Sequence, residues 1–439
     1  MFTYLFIDMF TNMAIPDAPK PRLLRAVSPP LGAYFRVGRD HLALQALLAS
    51  DRQNFTGLVC DAHDTDHHEE LRRAARERHL QTVLDPKAFE LSTMRGPLNQ
   101  KLAALAWAGT QLPHDSRRLR GAGAEWMTAL IADEVAGHNY SAVLNPTHLL
   151  SSVDDEWLSV DIELARNLRR ALDQHGLQQV TIYFPLTLRS KVFHNSAARE
   201  RVMRALADAP IDAVWLRIHP FSSSQAGPLV LRSYIDAARD LHRLGLPIVG
   251  ERTGTAGVAL MAFGAIGGIE SGVTHGERFD VNSLFKPPRP GDQPFAPSPR
   301  VYLSAIGVFV SRAQAAALMS RPRMRAAFGC RDTDCCTRGH ADTDRDPRRH
   351  FLLQRQREIK ELGLRPEPVR AGIYLEDFLR PASDLALRAA KVDLIFESAR
   401  QRLEHWRFAL GALQKSGPPP SFAKTPDGQR THPSLLRSA

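Results

Sequence analysis

The chain has 439 residues, of which 44% are apolar and 24% are charged, the balance of an ordinary folded globular protein. The first residues, MFTYLFIDMFTNM, are apolar but contain Asp8 and lack a basic leader, so neither a signal peptide nor a membrane span is expected. The net charge of +10 comes mostly from arginine and favours a polyanionic partner such as nucleic acid, although arginine-rich usage also follows from GC-rich coding.

The first part of the chain predicts a parallel sheet. Residues 1–55 are interpreted as an N-terminal segment, proline-rich at first and then helical. From 56 to about 275, amphipathic helical stretches separate seven short apolar runs: TGLVCDA, LQTVLD, YSAVLNP, VTIYFPL, DAVWLRIHP, LPIVGER and GAIGGIESG. Continuous apolar strands separated by helices indicate a parallel sheet covered on both faces. We therefore predict a TIM-like (β/α)8 barrel with its core over 56–300, and a doubly wound sheet as the alternative.

Residues 301–415 are predicted to form a zinc-binding and helical region that completes the barrel. The run VYLSAIGVFVS is a further strand candidate, HFLLQRQREIKELG is a helix, and 373–414 form a helical C-terminal region. The proline-rich stretch 286–300 is expected to be a loop. Residues 416–439 are poor in apolar side chains and are expected to be disordered.

Three of the four cysteines lie within seven residues, at Cys330, Cys335 and Cys336, and His340 and His350 follow them. Thiolates and imidazoles on a short, turn-rich segment are the ligands of tetrahedral Zn²⁺. We predict a structural zinc site here, with metal-free thiols or a disulfide as the alternatives. Clustered cysteines without a secretion signal also predict a reducing, cytoplasmic location.

Polar residues follow most of the predicted strands, at the positions where barrel enzymes place their chemistry. They are Asp61, His63, Asp64, Asp85, Asn145, His148, Arg217, His219, Glu251, Arg252 and Glu270. Carboxylates there can act as bases or nucleophiles, and arginines can fix anionic or carbonyl groups. A single aspartate at a strand end is more often a helix cap, but the set together predicts a polar barrel mouth. The adjacent residues of the HHEE stretch, 67–70, are interpreted as a solvated helix start rather than as metal ligands.

These features together resemble the tRNA-guanine transglycosylase superfamily, whose members are zinc-containing (β/α)8 barrels that exchange a guanine for a 7-deazaguanine base. The helix opened by His350 is similar to the family segment H-N-L-x5-L-M-R-E-I-R, and this similarity makes His350 a better fourth zinc ligand than His340. The cysteine spacing differs, because it is C-x4-C-C here and C-x-C-x2-C in the family.

Two further segments carry the resemblance. VLDPKAFELS is similar to the family's D-S-G-G-F-Q, which implies that Asp85 is the general acid/base and that Phe89 stacks on the base; residues 86–88 stand where the family glycines would be. LPIVGERTGTAGVALMAFGAIGGIESG is similar to the family's G-V-G-T-P-E-D followed by G-x-D-x-F-D. This match places the nucleophile at Glu270, while the nearby FDV sequence offers Asp280 instead.

The resemblance implies an enzyme that exchanges guanine for a 7-deazaguanine-type base in DNA or tRNA through a carboxylate nucleophile. The side chains expected to bind its substrate are Phe89, Asn145, Arg217, His219, Glu251 and Arg252. The alternative is an inactive zinc-containing barrel that binds nucleic acid or protein within a modification or defence system. A third hypothesis, a barrel enzyme with a small phosphorylated substrate, rests on the glycine-rich turns GERTGTAG and GAIGGIESG. An oligomer or a protein complex remains open.

Overall fold

The computed structural model describes residues 32–93, 100–152, 154–275, 277–284, 298–416 and 422–426. The strands in these ranges are β1 Gly32–Arg36, β2 Gly57–Asp61, β3 Gln81–Asp85, β4 Ala142–Leu144, β5 Thr181–Arg189, β6 Ala213–His219, β7 Phe221–Ser222, β8 Ile248–Glu251, β9 Gly268–Gly272, β10 Arg278–Phe279, β11 Val301–Leu303 and β12 Val308–Val310. Strands β1 to β6, β8 and β9 are parallel and close into an eight-stranded barrel, in which β1 pairs with β9. The predicted barrel is therefore confirmed, and the doubly wound sheet is wrong.

The eighth strand lies where the sequence interpretation placed none. The seven apolar runs form β2 to β6, β8 and β9, whereas β1 comes from the segment predicted to precede the barrel, which thus begins at Gly32 rather than at residue 56. VYLSAIGVFVS contributes no barrel strand, because β11 and β12 pair only with each other as an antiparallel hairpin. The sequence pattern does not mark the closing strand β1, because this strand is short and follows a proline-rich stretch.

Helices alternate with the barrel strands and continue beyond them. They are α1 His41–Ala49, α2 Glu69–Glu77, α3 Ala88–Thr93, α4 Gln100–Ala103, α5 Ala122–Gly137, α6 Trp157–Gln174, α7 Ser190–Phe193, α8 Ser196–Leu206, α9 Pro228–Asp240, α10 Gly254–Ala262, α11 Val281–Leu284, α12 Arg312–Met319, α13 Pro322–Phe328, α14 His340–Arg345, α15 Pro347–Gly363, α16 Glu367–Ile373, α17 Arg380–Ala390 and α18 Glu397–Ser416. The predicted helical C-terminal region is thus confirmed.

Helix α15 takes the place of the eighth barrel helix. It packs against both α10 and α1, the helices that follow β8 and β1, and Phe351 lies edge-on to Phe35 of β1 with ring centroids 6.3 Å apart. The chain between β9 and α15 is therefore an insertion into the last strand–helix unit. Because α15 begins at the end of the barrel where the strands finish, this insertion lies on the side of the barrel mouth.

The barrel sheet has one apolar layer on its outer face and another on its inner face. The larger one packs the helices against the outside of the strands. The smaller one fills the barrel and includes Tyr34, Val59, Val83, Trp215 and Val249, with the Tyr34 and Trp215 rings 5.0 Å apart. Since side chains alternate across a strand, the residue two positions further along each strand also points inward, one layer nearer the mouth.

Part of the predicted disordered tail packs against the other end of the barrel. Lys424 forms a parallel bridge with Pro247 just before β8, and the Ala423 amide donates to the Gly264 carbonyl at 3.0 Å. The expectation of disorder over 416–439 is therefore wrong for 422–426; residues 427–439 lie outside the described ranges, as do 1–31 and most of the predicted loop at 286–300. Among the described helices, none is long and apolar enough to cross a membrane.

Candidate active site and metal centre

The innermost layer of the barrel mouth consists of charged side chains. Two residues after the apolar interior positions come Arg36 of β1, Asp61 of β2, Asp85 of β3, Arg217 of β6 and Glu251 of β8. Strand register brings their acids together, because Asp61 is aligned with Asp85 and Glu251 is aligned with Glu270. The predicted polar mouth is thus built by the alternation of the strands themselves.

Arg36 lies at the centre of this layer and contacts four carboxylates. Its Nη1 donates to Asp61 Oδ1 at 2.5 Å and to Asp85 Oδ2 at 2.7 Å, its Nε to Glu270 Oε1 at 2.8 Å, and its Nη2 to Glu251 Oε1 at 3.2 Å. The side chain is only 8% exposed. An unpaired charge at such depth would be strongly destabilising, so the four acids and Arg36 depend on one another.

Two further cations complete the network. Lys87 Nζ lies 3.4 Å from Asp61 Oδ1 and 2.7 Å from Glu90 Oε1, and Arg217 Nη2 lies 2.8 Å from Glu251 Oε2 and 3.8 Å from an oxygen of Asp85. Lys87 has a positive φ of 60°, and its amide donates to Asp85 Oδ1, so the turn after β3 points back into the mouth. Lys87 is one of the residues that replace the glycines of the resembled family.

The network shifts the pKa values of its carboxylates in opposite directions. Burial alone would raise the pKa of Asp61, but Lys87 and Arg36 outweigh it and lower the pKa to about 2. The same balance, with Arg217 added, holds the pKa of Asp85 well below its usual range. Burial raises the pKa of Glu270 despite the opposing charge of Arg36. Such divergent environments within one site are typical of groups that share acid and base roles.

A rim of aromatic and polar side chains, itself largely buried, borders the charged layer. Strands β7 and β10 pair so that Phe279 is aligned with Phe221, and the Phe279 ring lies 5.6 Å from the Phe89 ring, under the guanidinium of Arg217 at 5.7 Å. The guanidinium of Arg252 also lies over the Phe279 ring, 5.9 Å from its centroid. Phe89 is therefore packed on another aromatic ring, and it would stack on a base only if Phe279 moved aside.

The next residue, Asp280, lies on this rim. Its Oδ1 accepts from the Asn282 amide at 3.0 Å and stands 3.6 Å from Nδ1 of His219, and its other oxygen pairs with Arg278. The Nδ1 of His219 accepts from the Val281 amide at 3.1 Å. Glu270, by contrast, is 0% exposed, and its second oxygen accepts from the Arg252 amide at 3.2 Å. Of the two predicted nucleophiles, Asp280 is the less buried, with 9% of its surface exposed.

Asn145 is tied to the neighbouring helix. Its amide nitrogen donates to the Asp161 carbonyl at 2.9 Å, and the Asp161 carboxylate lies 2.6 Å from Nδ1 of His148. The imidazole of His148 is stacked on Trp157 at 3.7 Å. Both residues after β4 thus join that strand to α6, and their contacts are those of a structural hydrogen-bond network rather than of the Arg36 layer.

An arginine-lined cavity of about 650 Å³ opens beside the rim. Arg278, Arg300 and Arg402 line it together with Glu277 and Ser223. Arg278 is the ion-pair partner of Asp280, so the cavity adjoins the rim carboxylate. Guanidinium groups around a groove are suited to phosphate oxygens.

The predicted zinc ligands converge on one point. Cys330, Cys335, Cys336 and His350 each offer a ligand atom, and these atoms lie within 4.8 Å of one another. The Nδ1 of His350 is 3.4 Å from both the Cys335 and the Cys336 sulfur, and the two sulfurs are 3.6 Å apart. His340 is not a member of this cysteine–histidine cluster. No pair of the four cysteines forms a disulfide, so that alternative is wrong.

The cluster fits a metal ion by chemistry as well as by distance. A tetrahedral Zn²⁺ with sulfur and nitrogen ligands would separate them by roughly 3.5–3.8 Å, close to what is seen. The Nε2 of His350 lies 3.0 Å from the Tyr302 carbonyl, and Gln354 donates to the Cys330 sulfur at 3.6 Å. A second hydrogen bond that orients a ligating imidazole is usual in metal sites. The described residues thus form a closed (β/α)8 barrel with a charged mouth and a buried cluster that can hold a metal ion.

Sequence reasoning missed the residues that join the mouth into one network. Neither Arg36 nor Lys87 was a candidate, because the strand carrying Arg36 was not recognised and Lys87 was considered only as a substitution of a family glycine. The signal was present in the alternation, since Tyr34 and Arg36 repeat the spacing of Val59 and Asp61.

No protein-family model matches the sequence, and no curated protein matches it. Among solved structures, similarity extends to xylanase A of P fluorescens subsp. cellulosa (14% identity, 57% of this chain and 91% of that chain, TM-score 0.34). It also extends to 3-dehydroquinate dehydratase from Geobacillus kaustophilus (13% identity, 58% and 90%, TM-score 0.32) and to the carboxyl transferase domain of Rhizobium etli pyruvate carboxylase (11% identity, 93% and 60%, TM-score 0.34). At these scores the similarities carry no argument about activity.

Proposed function

We propose that this chain is a base-exchange transglycosylase that replaces a guanine in DNA or tRNA with a 7-deazaguanine-type base. The observation that carries the proposal is the position of Asp280. It lies on the rim of a barrel mouth that contains Asp85, and its partner Arg278 lines the arginine-bearing cavity. Arg217 lies between the mouth and the rim, since it approaches Asp85 at 3.8 Å and lies over the ring of Phe279, the residue before Asp280.

Asp280 is the better nucleophile of the two carboxylates that the sequence left open. A nucleophile must reach C1′ of a nucleotide sugar, and Glu270 is 0% exposed whereas Asp280 is 9% exposed. Asp280 forms the bond to C1′ as the glycosidic bond breaks, and guanine leaves with the electron pair of that bond. The nearby cations Arg217 and Arg252 stabilise the departing anion, which then takes a proton from water.

Asp85 serves as the base in the second half of the exchange. Its pKa lies well below the usual range because Lys87, Arg36 and Arg217 outweigh its burial, so it is ionised at neutral pH. The incoming base loses its ring proton to Asp85, forms the new bond to C1′ and releases the carboxylate of Asp280. Asp85 then returns the proton to water, which balances the proton taken by guanine.

The arginines of the cavity provide the nucleic-acid contact that this chemistry needs. Removing a base from its stack costs a few kcal/mol, and phosphate contacts by Arg278, Arg300 and Arg402 would offset that cost. The overall charge of +10 is consistent with a polyanionic substrate. The cysteine–histidine cluster would hold Zn²⁺ with four protein ligands and no open position, which fits a structural ion. It would fix the insertion that carries Asp280 against α15.

The test is incorporation of labelled guanine into nucleic acid. Purified protein is incubated with labelled guanine and either tRNA or duplex DNA, and polymer-bound label is counted. We expect incorporation into one of the two polymers, a loss of at least about a hundred-fold for Asp280→Asn and Asp85→Asn, and chase of the label by a 7-deazaguanine base. The exposed Asp377→Asn is the matched control. Full activity of Asp280→Asn would contradict the proposed nucleophile.

A second candidate function is an inactive barrel that binds nucleic acid. The observation that favours it is the internal pairing of the mouth, where Arg36 alone contacts four acids and Phe89 is covered by Phe279. This function predicts salt-dependent binding of tRNA or DNA that Arg402→Ala weakens, without any incorporation of guanine into either polymer.

A further inference from the structure

Three histidines come together on the mouth side of the barrel, and none of them is a member of the cysteine–histidine cluster. His41 opens α1, which follows β1, and His67 and His68 lie in the single 3₁₀ turn Asp66–His68 that precedes α2. Because β1 and β2 are adjacent parallel strands, the beginnings of the two following helices meet at the same end of the barrel. The HHEE stretch, interpreted from sequence as a solvated helix start, therefore lies beside a third imidazole, that of His41, which is distant from it in sequence.

The three rings face one another. Their centroids are 4.5 Å apart for His41 and His67 and 5.3 Å apart for each of the other two pairs. One nitrogen from each ring can be chosen so that all three lie within 4.8 Å of one another. In a tetrahedral site with imidazole ligands the nitrogens would be roughly 3.3 Å apart, so a small rotation of the exposed His67 ring would complete the geometry.

The cluster also contains unused ligand atoms. The Nδ1 atoms of His41 and His68 are buried and have no hydrogen-bond partner among the described residues, and His68 is only 2% exposed. A buried imidazole nitrogen without a partner is costly, and coordination of a metal ion would satisfy it. Arg72 and His138, which are near the same turn, pair with each other at 3.3 Å instead of with these rings.

We propose that His41, His67 and His68 form a second metal site, which binds a transition-metal ion such as Zn²⁺ through three imidazoles. Neutral imidazole is a common ligand of such ions, and three protein ligands leave a fourth position open for water. That position faces outward, because His67 is exposed and also lines a cavity of about 480 Å³ together with His63, Asp64 and Lys101. The site is thus the exchangeable counterpart of the closed cysteine–histidine cluster.

The proposal does not depend on the transglycosylase activity, and metal stoichiometry tests it. The full chain and its variants are equilibrated with Zn²⁺ at micromolar free concentration, and bound metal is measured by mass spectrometry. The test compares the bound metal of each variant with that of the wild type, because the cysteine–histidine cluster contributes the same amount of metal to every protein. We expect His67→Ala and His41→Ala to hold one zinc fewer than the wild type. His405→Ala, which removes an exposed histidine on α18, should retain the wild-type amount.

Spectroscopic measurements distinguish the loss of the metal site from a loss of folding. Co²⁺ added to wild type that holds a single equivalent of zinc, in the tighter cysteine–histidine cluster, should give the visible bands of a nitrogen-ligated ion without a thiolate charge-transfer band, and His67→Ala should weaken this binding by about ten-fold or more. Circular dichroism of His67→Ala should match that of the wild type, since the side chain is exposed. Equal metal content in the wild type and His67→Ala, or bands that carry thiolate character, would overturn the proposal.

Discussion

The barrel mouth and the cysteine–histidine cluster are two buried groups of polar side chains that are neutralised in different ways. In the mouth, the carboxylates of Asp61, Asp85, Glu251 and Glu270 are compensated by cations of the same chain, with Arg36 in contact with all four and Lys87 and Arg217 beside them. In the cluster, three thiols and the Nδ1 of His350 point at one another, and their other hydrogen-bond partners are uncharged groups, namely backbone carbonyls, the Gln354 amide and the Thr343 hydroxyl. The first group is complete on folding, whereas the second is arranged for an ion from solution.

The largest expected effect comes from the cluster. Replacing Cys335→Ser removes one of four ligands, so we expect metal content to fall below stoichiometry and the free energy of unfolding to fall by about 5 kcal/mol. Urea unfolding and metal analysis would measure the two together. Cys60→Ala is the matched control, because Cys60 is buried between barrel and helices and should cost only about 1 kcal/mol with full metal content. Retained metal with wild-type stability would remove Cys335 from the site.

The mouth should respond to the loss of its own cation instead. Arg36→Met leaves four buried acids without their shared partner, and we expect a loss of about 3–4 kcal/mol in urea unfolding with metal content unchanged. Arg232→Met, on the exposed face of α9, should change stability by less than about 0.5 kcal/mol. A similar small effect for Arg36→Met would mean that the acids find other compensation and that the mouth is not a single network.

The sequence predicted the cysteine–histidine cluster more completely than the barrel mouth, and the reason is physical. Metal ligands lie on one short segment, so Cys330, Cys335, Cys336 and His350 could be identified from their types and spacing, helped by the family resemblance. The mouth is assembled from separate strands, and only the polar residues at the ends of the predicted strands could be recognised. Arg36 and Lys87 could not, because their roles depend on the closure of β1 against β9 and on the positive φ of the turn after β3. The pairing of Phe89 with Phe279 depends likewise on the β7–β10 ribbon.

Acid pH should weaken the mouth through Asp61. The pKa of Asp61 is about 2 in the folded protein because Lys87 and Arg36 outweigh its burial, and about 3.9 is usual for an unfolded chain. A carboxyl with a lowered folded pKa contributes stability above its unfolded pKa and loses it as the pH falls through the folded pKa. We therefore expect about 2 kcal/mol from Asp61 at pH 6 that disappears between about pH 4 and pH 2. Asp61→Asn should flatten this part of the curve, and the exposed Asp377→Asn should not.

The smallest expected effect separates the two regions most cleanly, because it changes no charge and no metal ligand. Gln354 on α15 donates to the Cys330 sulfur at 3.6 Å, and such a hydrogen bond favours the thiolate form and its orientation toward a metal. Gln354→Leu should therefore lower metal affinity by about ten-fold, measured by competition with a chromophoric chelator. Gln401→Leu, on the exposed face of α18, should leave the affinity unchanged. If Gln354→Leu also leaves it unchanged, Cys330 is the ligand to question, since it is the least buried of the three cysteines.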